Sequence, residues 1–210
     1  MPPILGKDGT VLFQGDSVTD ADRSRTDDGD LGRGYAMFAS AWFSAAYPAA
    51  RVRFLNRGVG GNRARDLQAR WTADCLALQP NWVSILIGIN DTWRRYDANE
   101  YTPPEAFEAA YRDILDQAVS RAKARLILGE PFLLPGLAGQ SEWRVDLDPK
   151  IAITRRLAEA YAAVLVPLDQ LFAQAAATRP PAFWLRDGVH PTPAGHALIA
   201  QAWLKAVGAS

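Results

Sequence analysis

Short apolar runs alternate with longer amphipathic segments along this chain, and that alternation limits the fold more than any other feature. Val11-Leu12-Phe13, Arg51–Leu55, Trp82–Ile87, Arg125–Leu128 and Val164-Leu165-Val166 read as strands. Between them lie helical segments over Tyr35–Tyr47, Ala64–Gln79, about Thr102–Lys123, about Pro149–Tyr161 and Leu168–Ala177, with Ala194–Val207 closing the chain. Pro48 and Pro80 stop the first two helices, and Leu67, Trp71 and Leu78 form one stripe of the second. Thr102-Pro103-Pro104-Glu105 supplies an N-cap residue, an early proline and an acid in the first turn. Pro131–Asp146 and Pro180–Pro193 read as irregular connections. Trp82–Ile87 is apolar on both faces, as expected of a central strand in a parallel sheet. Strands alternating with helices imply an α/β fold with right-handed crossovers. The 210 residues suit one domain, residues 1–210.

Charge narrows the range of partners. The chain has 23 basic and 23 acidic side chains and no formal net charge. No global field steers it toward nucleic acid or an anionic membrane. No apolar run approaches the length of a membrane span. One cysteine, Cys75, excludes an intrachain disulfide. Met1 to Gly6 lacks the basic-then-apolar pattern of a secretory leader, so a cytoplasmic location is expected. With no His-Glu-x-x-His and no Cys/His cluster, no catalytic zinc is expected.

In a parallel sheet, ligands bind beyond the carboxyl ends of the strands. Ser17 follows the first strand, Gly60-Gly61-Asn62 the second and Asn90-Asp91 the third. Of the two histidines, His190 lies three residues after Asp187 in a turn-like segment, and His196 lies in the closing helix, where it packs or caps locally. An Asp-x-x-His spacing lets one carboxylate hold the near imidazole nitrogen and leaves the far one for a serine hydroxyl. Taken alone, Ser17 is an ordinary turn serine, the glycines a tight turn, and Asn90-Asp91 a strand-end turn or cap. Together they are harder to explain that way, because independent turns would not put all these groups on one sheet edge.

Gly15-Asp16-Ser17-Val18-Thr19-Asp20, Asn56-Arg57-Gly58-Val59-Gly60-Gly61-Asn62, Gly88-Ile89-Asn90-Asp91 and Asp187-Gly188-Val189-His190-Pro191 resemble the four sequence blocks of the SGNH (GDSL-type) hydrolases, in family order. The resemblance implies a three-layer α/β/α fold with a central five-stranded parallel sheet, flavodoxin-like. It implies Ser17 as nucleophile, with Asp187 and His190 completing a triad. Acyl transfer through a serine would require no cofactor. Ser17, Gly61 and Asn90 would form the oxyanion hole. Many members carry Ser-Gly where this chain has Gly60-Gly61, which leaves Gly60 as the rival donor. The Gly-x-Ser-x-Gly elbow of α/β-hydrolases is absent.

Trp82–Asp97 together with Arg65–Trp71 resembles the carbohydrate acetylesterases of this class, notably the intracellular acetylxylan esterases of bacilli. That likeness implies acetylated xylo-oligosaccharides as substrate and a homo-oligomer. Trp93, Tyr96 and Trp184 are candidates to stack on sugar rings, with core packing as the alternative. Arg94 and Arg95 are either loop charges or substrate donors, and Arg57 and Arg63 flank the glycine block or pair at a subunit contact. The competing functions are a short-chain lipase, a thioesterase, a deacetylase of another sugar, a non-catalytic carbohydrate-binding module and a flavodoxin-like nucleotide domain. The last lacks a Gly-x-Gly-x-x-Gly after the first strand.

Overall fold

The computed structural model describes residues Pro3–Ala209; Met1 and Pro2, part of the segment read for a leader, lie outside it. In chain order the elements are β1 (Thr10–Gly15), α1 (Ser17–Asp20), α2 (Tyr35–Ala46), β2 (Arg53–Asn56), α3 (Ala64–Asp74), β3 (Trp82–Leu86), α4 (Ile89–Asp97), α5 (Pro104–Ser120), β4 (Arg125–Gly129), α6 (Arg144–Ala160), β5 (Val164–Val166), α7 (Leu168–Ala176), α8 (Pro181–Trp184) and α9 (Pro193–Ala206). The five strands form one sheet in the order β2-β1-β3-β4-β5, and every neighbouring pair is parallel. Helices cover both faces, so the architecture is the expected three-layer α/β/α.

The alternation of side chains along each strand builds the two apolar layers. Val11 and Phe13 of β1, Trp82 and Leu86 of β3 and Ile127 of β4 enter the layer shared with α2, α7 and α9. Leu12, Val83, Ile85, Leu126 and Leu128 enter the opposite layer with α3, α5 and α6. Every residue of β3 is buried, as its two-faced apolar run requires. Its one polar residue, Ser84, is satisfied because the Trp203 indole N–H donates to its Oγ at 3.0 Å.

The structure corrects several boundaries. Thr102 is not the N-cap of α5; that position is Pro103, at φ −59° and ψ 149°. A residue before proline is driven out of the helical region, and Pro104 follows. The helix α3 ends at Asp74 because Cys75 takes φ −133° while its side chain enters the core. The helix α6 begins at Arg144 and runs through Pro149. Proline there removes only the bond to the carbonyl of Val145, a residue 75% exposed, where water can replace it. Three helical segments were not foreseen: α4 and the single turns α1 and α8. Gly88, at φ 126°, turns the chain from β3 into α4, so Asn90 and Asp91 lie in a first helical turn.

Trp203 joins α9 to the sheet through Ser84 and packs at 5.3 Å from the Phe13 ring. Trp203→Ala should cost about 3–5 kcal/mol of stability in urea unfolding. A loss below about 1 kcal/mol would contradict this reading of the core.

Candidate active site

The carboxyl end of β1 presents a serine. Asp16 leaves the strand and its Oδ1 accepts the Val18 N–H at 3.0 Å, starting the single turn α1 with Ser17 as its first residue. Burial pushes the Asp16 carboxyl up to about 7. The Ser17 Oγ lies 3.0 Å from His190 Nε2, although the two residues are 173 positions apart in sequence.

His190 is held by its own loop. Leu185 bridges to Pro191, and the Arg186 N–H donates to the His190 carbonyl at 2.8 Å. Asp187 Oδ1 accepts the N–H groups of Val189 at 3.0 Å and His190 at 2.8 Å, and its Oδ2 lies 2.6 Å from His190 Nδ1. A carboxylate only accepts, so Nδ1 carries the ring proton and Nε2 is free to accept from Ser17. Burial alone would raise the Asp187 carboxyl; the three N–H groups of Val189 and His190 outweigh it and hold the group below its ordinary 3.8.

The loop after β2 is almost completely hydrogen-bonded. The N–H of Gly58 donates to Asn56 Oδ1 at 2.8 Å, and that of Val59 to the Gly15 carbonyl at 3.0 Å. Gly60 donates to Asp20 Oδ2 at 2.9 Å and Asn62 to the Val59 carbonyl at 3.2 Å. Arg63 donates to Asp66 Oδ2 at 2.8 Å and Ala64 to Asp91 Oδ2 at 3.1 Å. Gly61, at φ 79°, is the exception: its N–H has no acceptor among the described residues. An ideal Cβ built on Gly61 would meet nothing within 4 Å, so the peptide lies open. The N–H of Ser17 likewise has no acceptor among the described residues. The buried Asn90 donates one amide hydrogen to the Asn62 carbonyl at 3.1 Å, which leaves its second hydrogen available.

A cleft of about 730 Å³ opens over Ser17 and His190. Its walls mix charged side chains, Asp20, Asp22, Arg33 and Arg186, with the apolar surfaces of Ala21, Pro191 and Pro193. His196 also lines it, but its Nδ1 accepts the Tyr35 N–H at 3.2 Å, and burial pulls its pKa down to about 4. It is therefore neutral and anchors α2, the local role expected of it. Among the described residues no group of three or more His, Cys, Asp or Glu side chains is placed to hold a metal ion.

The structure thus brings Ser17, Asp187 and His190 together, with the glycine block and Asn90 beside them. Trp93 also arrives, its ring 5.6 Å from the His190 imidazole. Tyr96 stands behind it, stacked on Trp143 at 5.2 Å and donating to Asp146 Oδ2 at 2.7 Å. Trp184 is not brought to Ser17; its indole N–H donates to the Ala175 carbonyl at 3.0 Å and its ring packs against the α2–α9 layer. Arg57 pairs with Asp28 at 2.6 Å, Arg63 with Glu100 at 2.6 Å and Arg95 with Asp146 at 2.7 Å, while Arg94 pairs with Asp97. Sequence reasoning missed Gln140. This buried side chain donates to the Asp187 carbonyl at 2.7 Å and accepts the N–H groups of Gly136 and Leu137 at 2.9 Å each. Only its setting in a Gly/Pro-containing loop hinted at a built structure there.

The model of the GDSL-like lipase/acylhydrolase family matches residues 13–198. An acetylxylan esterase of Geobacillus stearothermophilus is 35% identical over 212 residues, spanning 97% of this chain and 96% of its own. The solved structure of Axe2, an acetylxylan esterase from that organism, is similar with a TM-score of 0.90 over 97% of this chain and 96% of that one. A putative GDSL-like lipase from Parabacteroides merdae, 34% identical, gives 0.95 over 100% of both chains. LAE5, an alpha/beta hydrolase enzyme from the Lake Arreo metagenome, is 32% identical and gives 0.89 over 97% of both. Catalytic mutants of Axe2 with a serine or an aspartate replaced are also among the similar structures.

The lowered Asp187 carboxyl has a consequence for stability. A carboxyl lowered on folding stabilises the folded state above its unfolded value, near 3.8, and this is lost as pH falls through the folded value. Asp187→Asn should therefore be less stable than the parent chain in urea at pH 7, and the gap should narrow at about pH 3. A gap independent of pH would contradict the hydrogen bonding described for this carboxylate.

Proposed function

Because the chain belongs to the GDSL-like lipase/acylhydrolase family, and is thus a carboxylic ester hydrolase, we propose that it is a serine esterase that removes acetyl groups from carbohydrate, acetylated xylo-oligosaccharides foremost. The observation that carries the mechanism is the continuous contact from Ser17 Oγ to His190 Nε2, at 3.0 Å, and from His190 Nδ1 to Asp187 Oδ2, at 2.6 Å. His190 takes the Ser17 proton as Oγ attacks the acetyl carbonyl. Asp187 fixes the ring and stabilises the imidazolium. The oxyanion is held by the N–H groups of Ser17 and Gly61 and the second amide hydrogen of Asn90. Gly61 is favoured over Gly60 because the Gly60 N–H is already given to Asp20. The sugar oxygen leaves with the proton from His190. Water, activated by the same base, then splits the acetyl-enzyme and releases acetate.

The substrate class rests on two supports. One is the 35% identity to an acetylxylan esterase across nearly the whole chain. The other is the set of charged side chains in the cleft wall, Asp20, Asp22, Arg33 and Arg186, which can hydrogen-bond to sugar hydroxyls. Trp93, beside His190, offers an aromatic surface next to the reacting groups. The similarity to a putative GDSL-like lipase keeps a longer-chain esterase as the second reading.

Ser17→Ala should abolish p-nitrophenyl acetate hydrolysis, and Asn90→Ala should lower kcat on the order of 10²–10³-fold. An active Ser17→Ala enzyme would overturn the mechanism, and an unchanged Asn90→Ala would remove Asn90 from the oxyanion hole. Acetyl esters should be cleaved far faster than octanoyl esters, and acetate release should be fastest from acetylated xylo-oligosaccharides. Preference for octanoate would favour the lipase reading.

A further inference from the structure

Asp91 is buried to 1% exposure, next in sequence to Asn90, and the mechanism above does not use it. Its Oδ2 accepts the Ala64 N–H at 3.1 Å, while its buried Oδ1 has no hydrogen-bond partner among the described residues. Arg63 and Asp66 face it from the start of α3, Lys150 from α6, and Asp16 from the turn after β1. Lys150 is itself fully buried, and its Nζ donates to the Asp146 carbonyl at 3.0 Å. A buried carboxylate with one bare oxygen is a costly group to keep.

Capping α3 does not explain it. That helix has its own acid at its N-terminus, since the Arg63 N–H donates to Asp66 Oδ2 at 2.8 Å. What Asp91 adds is a tie between elements. Consecutive residues of α4 grip the loop on either side of Arg63: Asn90 donates to the Asn62 carbonyl, and Asp91 accepts the Ala64 N–H. Gly61, the one residue of the stretch from Gly58 to Ala64 whose N–H has no acceptor among the described residues, lies directly before this clamp.

We propose that Asp91 is a positioning residue for ester hydrolysis: by holding the Ala64 N–H it fixes the Gly61 N–H and the Asn90 amide toward one point beside Ser17. This rests on the oxyanion-hole reading given above. Asp91 touches no reacting atom; it acts through the loop. Displacing a donor by about 1 Å costs up to about 100-fold in rate.

The test compares Asp91→Ala, Asp91→Asn, Ala64→Pro and Asn90→Ala with the parent enzyme. The readouts are kcat and KM on p-nitrophenyl acetate, inhibition by a boronic acid that forms a tetrahedral adduct on serine, and Tm. Ala64→Pro removes the same hydrogen bond from the other side. Proline is tolerated at a first helical position, and Arg63 before it is already extended at ψ 173°. Asp91→Ala should lower kcat roughly 10- to 100-fold with KM within about twofold, and weaken boronate inhibition by a matching factor. Ala64→Pro should do the same, so the test survives if Asp91→Ala fails to fold. Asp91→Asn, which keeps an acceptor oxygen, should recover most of kcat. A lowered Tm with kcat and boronate inhibition intact in Asp91→Ala or Ala64→Pro would overturn the inference. So would Asp91→Asn performing no better than Asp91→Ala. If Asn90→Ala is impaired while these variants are not, only the positioning role fails. If Asn90→Ala is unimpaired as well, the oxyanion-hole reading fails with it.

Discussion

Pairing β1 in parallel with β3 places two strand ends side by side that are far apart in sequence. The register runs Val11 to Trp82 and Gly15 to Leu86, so both strands stop at one level. Ser17 emerges just past one end and Asn90 just past the other. On the other side of β1, Phe13 pairs with Asn56, which brings the glycine loop to the same edge. This is the point where strand order reverses in a 2-1-3-4-5 sheet, the place such sheets bind ligands. The remaining piece, the Asp187–His190 turn, arrives on the segment leading into α9. That helix packs beside α2 in the apolar layer that also receives Phe13 of β1.

On that scaffold each polar group has a separate task. Asp187 satisfies two backbone N–H groups of its own turn and the imidazole at once, so loop shape and ring orientation are set by one side chain. Asp20 occupies the Gly60 N–H and leaves that of Gly61 open. Gln140 ties the long loop after β4 to the Asp187 carbonyl. In the proposed esterase these ties fix the donors before substrate arrives, and electrostatic stabilisation of a transition state needs that.

Much of this was legible in the sequence, and the parts that were not share a physical cause. Short apolar runs set between amphipathic segments identified the strands, and the run Trp82–Ile87, apolar on both faces, marked the central one. The Asp-x-x-His spacing identified its turn, since a three-residue reach fixes the geometry locally. Periodicity reports burial but not partner, so Trp184 read as a site aromatic although its indole belongs to Ala175. It also could not show that Gly88, at φ 126°, would start a helix and place Asn90 in its first turn. Contacts between distant segments, such as Asp20 with Gly60 and Gln140 with Asp187, leave no local signature.

The central claim is that Ser17 forms a covalent acyl-enzyme with His190 as its base. It is tested most directly by inactivating the protein with a p-nitrophenyl alkylphosphonate, titrating the p-nitrophenol released, and locating the adduct by peptide mass spectrometry. One adduct per chain, on the peptide containing Ser17, should appear in step with the loss of esterase activity. Inactivation with Ser17 unmodified, or full labelling of Ser17 with activity intact, would contradict it.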